Sequence, residues 1–286
     1  MEKMNPVFFV TDLHGRKNRY AELFRQVRHD EPPALFIGGD LMPHFARMVA
    51  TEDFFAEYLI PEFRRLRDEM GSHYPMVFII MGNDDPAIEE EHLFLGEAEG
   101  LWHYMHNRKK AFGEFTVYGY ACIPPTPFRL KDWERYDVSR YVDPGCVPPT
   151  EGSRTVDTGV DIEFATIQKD LAALAGEDDL SQAVFLFHSP PYQTLLDRAA
   201  LDGMMVEHVP LDVHIGSIAI KRFMEERSPM ITLHGHVHES ARITGNWSEK
   251  IGDTYAFNAA TDGPGLSLVR IPLNDPAAAT RTLSAG

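Results

Sequence analysis

Five short strings of polar residues stand out in the chain: Asp12-Leu13-His14, Gly38-Gly39-Asp40, Gly82-Asn83-Asp84-Asp85, His188-Ser189-Pro190 and His234-Gly235-His236-Val237-His238. Imidazole nitrogens and carboxylate oxygens without a thiolate form a donor set for Mn, Fe, Zn, Ni or Co rather than for Ca or an iron–sulfur cluster. A carboxylate such as Asp40 can bridge two such ions. Two ions roughly 3.5 to 4 Å apart can clamp an in-line displacement at phosphorus and generate a hydroxide nucleophile. Glycines beside Asp40, Asn83 and His236 suit a backbone that must turn sharply.

Each string alone is weak. In a chain with 13 His, Asp-x-His is expected about once by chance, and it occurs twice, the second copy being Asp212-Val213-His214. Gly-His-x-His is expected only about 0.04 times, so it is the strongest single match. The position of the strings adds more, because each follows an apolar run with the look of a buried strand. These runs are Val7–Val10, 35–37, 76–81, Ala183–Phe187 and 230–233, with further strands expected at 115–123, 241–244, Thr254–Asn258 and 266–271. Helical patterns at 18–27, 52–70, 162–175 and 217–226 alternate with them, which reads as an α/β protein. In open α/β sheets ligands bind at the carboxyl ends of the strands, so the five strings should converge there.

Composition limits the partners. The formal charge is -16, which disfavours a broad grip on nucleic acid or anionic lipid. No segment approaches the length of a membrane span, and the apolar run at 6–10 is too short for a signal peptide core. Two Cys outside any C-x-x-C arrangement fit a reducing, cytoplasmic setting and leave the Asn246-Trp247-Ser248 sequon idle. No linker composition divides the chain, so residues 1–286 are expected to form one domain. Segment 124–159, rich in proline, is expected to be a lid or an insertion, and 190–214 another long connection. Arg129, Trp133, Arg135 and Tyr192 in these segments are candidates to stack on a base or hold phosphate.

The ordered set Asp12-x-His14, Gly39-Asp40, Gly82-Asn83-x-Asp85, His188 and Gly235-His236-x-His238 resembles the signature of the calcineurin-like metallophosphoesterases. The likeness spans Asp12 to His238. It implies an α/β fold of four layers, an α/β/β/α sandwich of mixed sheets, with two divalent or trivalent transition metal ions at the strand ends. By this resemblance one ion takes Asp12, His14, Asp40 and His238 and the other Asp40, Asn83, His188 and His236. Asp40 bridges them, together with a hydroxide that attacks phosphorus. One departure stands out. Many members carry His directly after Gly-Asn, credited with transition-state stabilisation or leaving-group protonation, whereas this chain has Asp84. An ordinary Asp is ionised at neutral pH and repels phosphate, so Asp84 needs a raised pKa, a cationic partner or another role. The expectation is activity that favours esters with good leaving groups, or another His in that role.

The expectation is therefore a dinuclear-metal phosphoester hydrolase acting on a small-molecule phosphoester, with phosphodiesters favoured over monoesters and Asp84, Asp40 and His188 as catalytic residues. A catalytically weak or inactive scaffold on the same fold and a nuclease are the alternatives, and a homo-oligomer is left open. Other residues carry weaker expectations. His234 reads as a core residue or a support for a ligand, and Ser217 with Gly216 as a helix cap or a phosphate cradle. Arg16 reads as a surface arginine or a phosphoryl contact, and Asp85 as a partner of Asn83 or of a ligand His. His44, His103 and His106 read as ordinary surface or core histidines.

Overall fold

A computed structural model describes residues 5–44, 53–157 and 159–285. The chain begins β1 (Val7–Val10), α1 (Lys17–Asp30), β2 (Ala34–Gly38), α2 (Ile60–Met70) and β3 (Met76–Ile80). It continues through α3 (Glu90–Ala98), β4 (His103–Tyr104), β5 (Arg108–Phe112), β6 (Phe115–Tyr120), α4 (Ile167–Ala175) and β7 (Ala183–Phe187). A small hairpin, β8 (Met205–Val206) and β9 (Val209–Pro210), precedes α5 (Ile218–Arg227), β10 (Ile231–His234) and α6 (Ser240–Thr244). The last strands are β11 (Ser248–Ile251), β12 (Thr254–Asn258), β13 (Ser267–Ile271) and β14 (Thr280–Leu283).

Two mixed six-stranded sheets result, in the orders β14-β13-β1-β2-β3-β4 and β11-β12-β10-β7-β6-β5. Strands β1, β2, β7 and β10 are buried along their whole length. This explains why they read as continuous apolar runs: a parallel strand inside a layered fold is covered on both faces. The sheets face each other, β2 and β3 lying against β7 and β6. Helices cover the outer faces. Helix α1 buries Tyr20, Leu23, Phe24 and Val27, one stripe at helical spacing, and Phe24 meets Phe63 of α2 edge-on at 5.1 Å. On the other side Phe223 of α5 packs on Phe185 of β7 at 5.0 Å. The result is the four-layer α/β/β/α sandwich.

Several boundaries differ from the sequence reading. Segment 241–244, expected as a strand, lies in helix α6. Thr244 Oγ1 donates back to Ser240 O at 2.9 Å, and Gly245 ends the turn in the left-handed region at φ 75°. The helix expected from 162 starts at Ile167, because Thr166 caps it by accepting the Lys169 amide at 3.2 Å. Residue 52, the expected start of the 52–70 helix, lies outside the described residues. The helix is entered through a π-helical turn at Phe55–Leu59. Strand β5, Arg-Lys-Lys-Ala-Phe, gave no apolar signal since it is a mostly exposed sheet edge.

Candidate metal centre

Each string sits where a buried strand ends. Asp12 and His14 follow β1, Asp40 follows β2 and Asn83 follows β3, all in one sheet; His188 follows β7, and His236 and His238 follow β10, in the other. Backbone bonds join the turns, Asp12 N–H donating to Gly39 O at 3.0 Å and His14 N–H to Asp40 O at 2.8 Å. Across the sheets, His188 donates Nδ1–H to Gly38 O at 2.7 Å, and the His236 amide donates to Asp12 Oδ2 at 3.1 Å. Asp12, His14, Asp40 and His236 all have positive φ, at 55°, 48°, 51° and 69°. Strained backbone of this kind collects at functional sites, where surrounding packing over-determines it.

The glycines of the strings are there for closeness. A Cβ on Gly82 would run into Asp40 Oδ1, and one on Gly235 would lie 2.5 Å from Asp12 Oδ2. Two carboxylates are thereby pressed against bare backbone at the sheet junction.

One donor atom each from Asp12, His14, Asp40 and His238 lies within 4.8 Å of the others. His14 Nε2 is 3.1 Å from His238 Nε2 and 3.8 Å from Asp40 Oδ2, while His238 Nε2 is 2.9 Å from Asp12 Oδ1. A second group adjoins through Asp40. His188 Nε2 lies 3.5 Å from Asp40 Oδ2 and 3.1 Å from Asn83 Oδ1, and the His188 and His236 rings meet edge-on at 5.4 Å.

The electrostatics call for positive charge. Burial alone would raise Asp12, but His238, His188 and His14 hold it well below the usual carboxylate range. Asp40, where burial also opposes ionisation, is lowered to about 2, chiefly by His188. Burial keeps His14 and His236 neutral, at about 4 and about 3. His188 is pushed up to about 10: burial opposes this, and the Asp40 carboxylate outweighs it. Two buried carboxylates thus draw protons onto neighbouring imidazoles. Metal cations displace such protons when ligands are shared. The donor set, the Gly82 and Gly235 cradles and the convergent ring nitrogens fit two transition metal ions.

A sequence model of the calcineurin-like phosphoesterases matches residues 6–240, which contain every string. The chain belongs to the calcineurin-like phosphoesterase family. Solved structures agree on the fold. The protein TT1561 of Thermus thermophilus aligns over 98% of this chain and 99% of that one, with 15% identity and a TM-score of 0.60. A dimetal phosphatase from Danio rerio aligns over 94% of this chain and 93% of its own, with 10% identity and a TM-score of 0.53. An uncharacterised protein of Methanocaldococcus jannaschii is 33% identical over 82 residues, 28% of this chain and 32% of that relative, so the match spans about a third of the relative's length.

In this calcineurin-like phosphoesterase the other sequence candidates scatter. His234 faces the core, donating Nδ1–H to Ser189 O at 2.9 Å and meeting Thr232 Oγ1 at 2.8 Å. Ser217 caps α5, and the amides of Ile218 and Ala219 are already taken by Asp137 at 2.6 and 3.2 Å. Arg16 turns to Gly263 O at 3.4 Å. Trp133 and Arg135 are buried, Trp133 donating Nε1–H to Asp85 O at 2.8 Å. Arg129 is exposed, and Tyr192 donates to Asp212 at 2.5 Å. The expected pairing of Asp85 with Asn83 or a ligand His gives way to another: its carboxylate accepts the amides of Leu41, Met42 and Gly82.

Two contributors escaped the sequence reading. Arg19, buried in the first turn of α1, donates to Asp12 O at 2.6 Å and Gly263 O at 2.5 Å and so fixes the first ligand turn. Its only signal was an arginine next to an apolar stripe. His44, read as ordinary, has its Nδ1 2.5 Å from Asp84 Oδ2 and its ring stacked on His14 at 4.4 Å. Asp84, offset by that contact, is still pushed up to about 6 by burial and by the Asp40 charge.

Proposed function

We propose that the protein is a dinuclear-metal phosphoester hydrolase that favours phosphodiesters over monoesters. The observation that carries this reading is the convergence of Asp12, His14, Asp40 and His238 within 4.8 Å, with His188 within 3.5 Å of both Asp40 and Asn83 and its ring against that of His236. Asp12, His14, Asp40 and His238 would hold one ion, Asp40, Asn83, His188 and His236 the other, with Asp40 as the bridge. Mn, Fe, Zn, Ni or Co in these positions would supply Lewis acidity toward phosphoryl oxygen and hydroxide from water at neutral pH.

The chain's own groups set the rest. His188, anchored by Gly38 O, and Asp40, anchored by the Asp84 amide at 2.9 Å, hold the ligand geometry without rearrangement. Arg16 and Arg19 direct their guanidinium groups to backbone carbonyls, and the Asp84 carboxylate stands at the mouth, its side chain 25% exposed. A carboxylate there repels a phosphomonoester dianion more than a diester monoanion, which supports the diester preference. The reading of segment 124–159 as an insertion in this domain is supported by two contacts: Trp133 donates to Asp85 O, and Asp132 accepts the Ala87 amide at 2.8 Å. Both cysteines are free, which supports a cytoplasmic setting. No helix among the described residues is long and apolar enough to cross a membrane.

Metal analysis combined with turnover of bis-4-nitrophenyl phosphate and 4-nitrophenyl phosphate tests the reading. Two ions per chain and faster diester turnover are expected, both reduced in Asp40→Asn. Bound metal without turnover of any ester would favour the scaffold, and salt-dependent binding and cleavage of single-stranded DNA would favour a nuclease.

A further inference from the structure

Asp84 and His44 come from different loops, one after β3 and one after β2, yet they form a close contact, Asp84 Oδ2 to His44 Nδ1 at 2.5 Å. The His44 ring lies flat over the His14 ring, centroids 4.4 Å apart and planes within 25°. Asp84 Oδ2 is also 3.7 Å from His14 Nδ1. Exposure rises outward through this set: side chains of His14, Asp84 and His44 are 5%, 25% and 41% exposed. The stack therefore leads from a ligand at the metal centre to the mouth of the site, with His44 as its outermost ring. The backbone that carries Asp84 is itself anchored, its amide donating to Asp40 Oδ1 at 2.9 Å.

We propose that His44 is the catalytic residue that meets the leaving oxygen of the phosphoester, and that Asp84 is a positioning residue that fixes the His44 ring. This rests on the phosphoesterase reading above. Asp84 holds the Nδ1 edge of the ring, the two sharing one proton, and Nε2–H on the opposite edge is the donor left for the substrate. From there it donates a hydrogen bond to the ester oxygen, which takes the electron pair of its bond to phosphorus as a water-derived oxygen bonds phosphorus from the opposite side, and which then picks up a proton from solvent and leaves as the alcohol. Such a contact is stronger in the transition state than in the ground state, because negative charge grows on the oxygen only as the bond breaks. The contact with His44 offsets part of the Asp84 charge, and the remainder weighs more heavily on a dianionic monoester than on a monoanionic diester. Two residues that are separately unpromising, a loop histidine and a carboxylate beside a phosphate site, become one device.

The test uses the metal-loaded protein and the variants His44→Ala, His44→Gln and Asp84→Asn. Turnover is measured on an activated aryl diester and on an unactivated alkyl diester, alongside metal content and the affinity for inorganic phosphate by calorimetry. His44→Ala should lower kcat on the alkyl ester about 100-fold, the lower end of the usual range for such groups, and on the aryl ester only about threefold. His44→Gln, which keeps a donor, should recover part of the loss. Asp84→Asn should show the same bias toward the alkyl ester, smaller, and have no further effect in the His44→Ala background. Phosphate should bind about tenfold more weakly to His44→Ala, with metal content unchanged. Equal losses on both esters, loss of metal from His44→Ala, or an Asp84→Asn effect that persists without His44 would overturn the proposal. Absence of turnover in the unaltered protein would sink the phosphoesterase reading instead. The phosphate affinities then decide alone: weaker binding to His44→Ala supports the His44 contact, and unchanged binding overturns it.

Discussion

The Asp85 carboxylate accepts the Leu41 backbone amide through both oxygens, at 2.9 and 3.0 Å. With the Met42 and Gly82 amides bound as well, this fully buried side chain locks the turn bearing Asp40 to the turn bearing Asn83. Its alanine variant would strand three buried donors. At about 1 to 3 kcal/mol for each unsatisfied group, Asp85→Ala should lose at least 3 kcal/mol of stability in urea denaturation and bind less metal. Asp85→Asn, which retains one acceptor oxygen, should fall between. A variant as stable as the parent would show that the two turns hold themselves.

Removing metal should loosen the site itself. Asp12 and Asp40 press against each other's neighbourhood at the sheet junction, and cations there bind the folded chain in preference to the unfolded one. Adding Mn to chelator-treated protein should raise the melting temperature, by the equivalent of about 4 kcal/mol at a thousandfold excess over Kd. Asn83→Ala should retain part of this gain, because it leaves the group of Asp12, His14 and His238 intact. Calorimetric scans with and without metal read the difference.

Lys131 and Glu134 form an ion pair at 2.5 Å inside segment 124–159, with side chains 0% and 1% exposed. Thr126 binds both partners, its hydroxyl on Glu134 and its carbonyl on Lys131. Lys131→Met leaves a buried carboxylate without its partner and should lose about 3 to 5 kcal/mol, whereas Lys131→Met with Glu134→Leu should recover most of it. If the double variant is no better than the single one, the pair contributes through packing and not charge.

His106 supplies a pH dependence away from the metal ligands. Its Nδ1 accepts the Ala121 amide at 3.0 Å, and burial, helped by the charges of Arg135 and Arg108, lowers the ring to about 3. The unfolded chain therefore takes up a proton near the ordinary value, about 6.5, that the folded chain refuses. Stability from this group is complete above that value and declines as pH falls toward 3, by up to about 1.4 kcal/mol per pH unit. His106→Gln should flatten that limb of the stability profile. An unchanged slope between pH 6.5 and 4 would assign the acid sensitivity to other groups.

The sequence showed the sheets and the ligands for the same reason. Fully buried strands such as Val7–Val10 and Ala183–Phe187 must be apolar throughout, and ligands that follow such strands fall at their carboxyl ends whatever the rest of the chain does. Edge strand β5 was invisible because an exposed edge carries lysine and arginine to discourage pairing. Helix α6 was misread because back-bonding by Thr244 and the Gly245 stop override the β-preference of two residues. Asp85 was misplaced because its partners are backbone amides, which any sequence supplies.

Residue types and their order determined the family, the strand ends and the donor set, since imidazole and carboxylate chemistry is local to the side chain. The tertiary structure decided which side chains share an environment. It buried Asp12 and Asp40 where their charge draws cations, and turned Arg16 and Arg19 to backbone carbonyls. It also brought His44 and Asp84, 40 positions apart in sequence, to 2.5 Å. Distances across loops depend on how two sheets pack, and no local pattern in the chain records that packing.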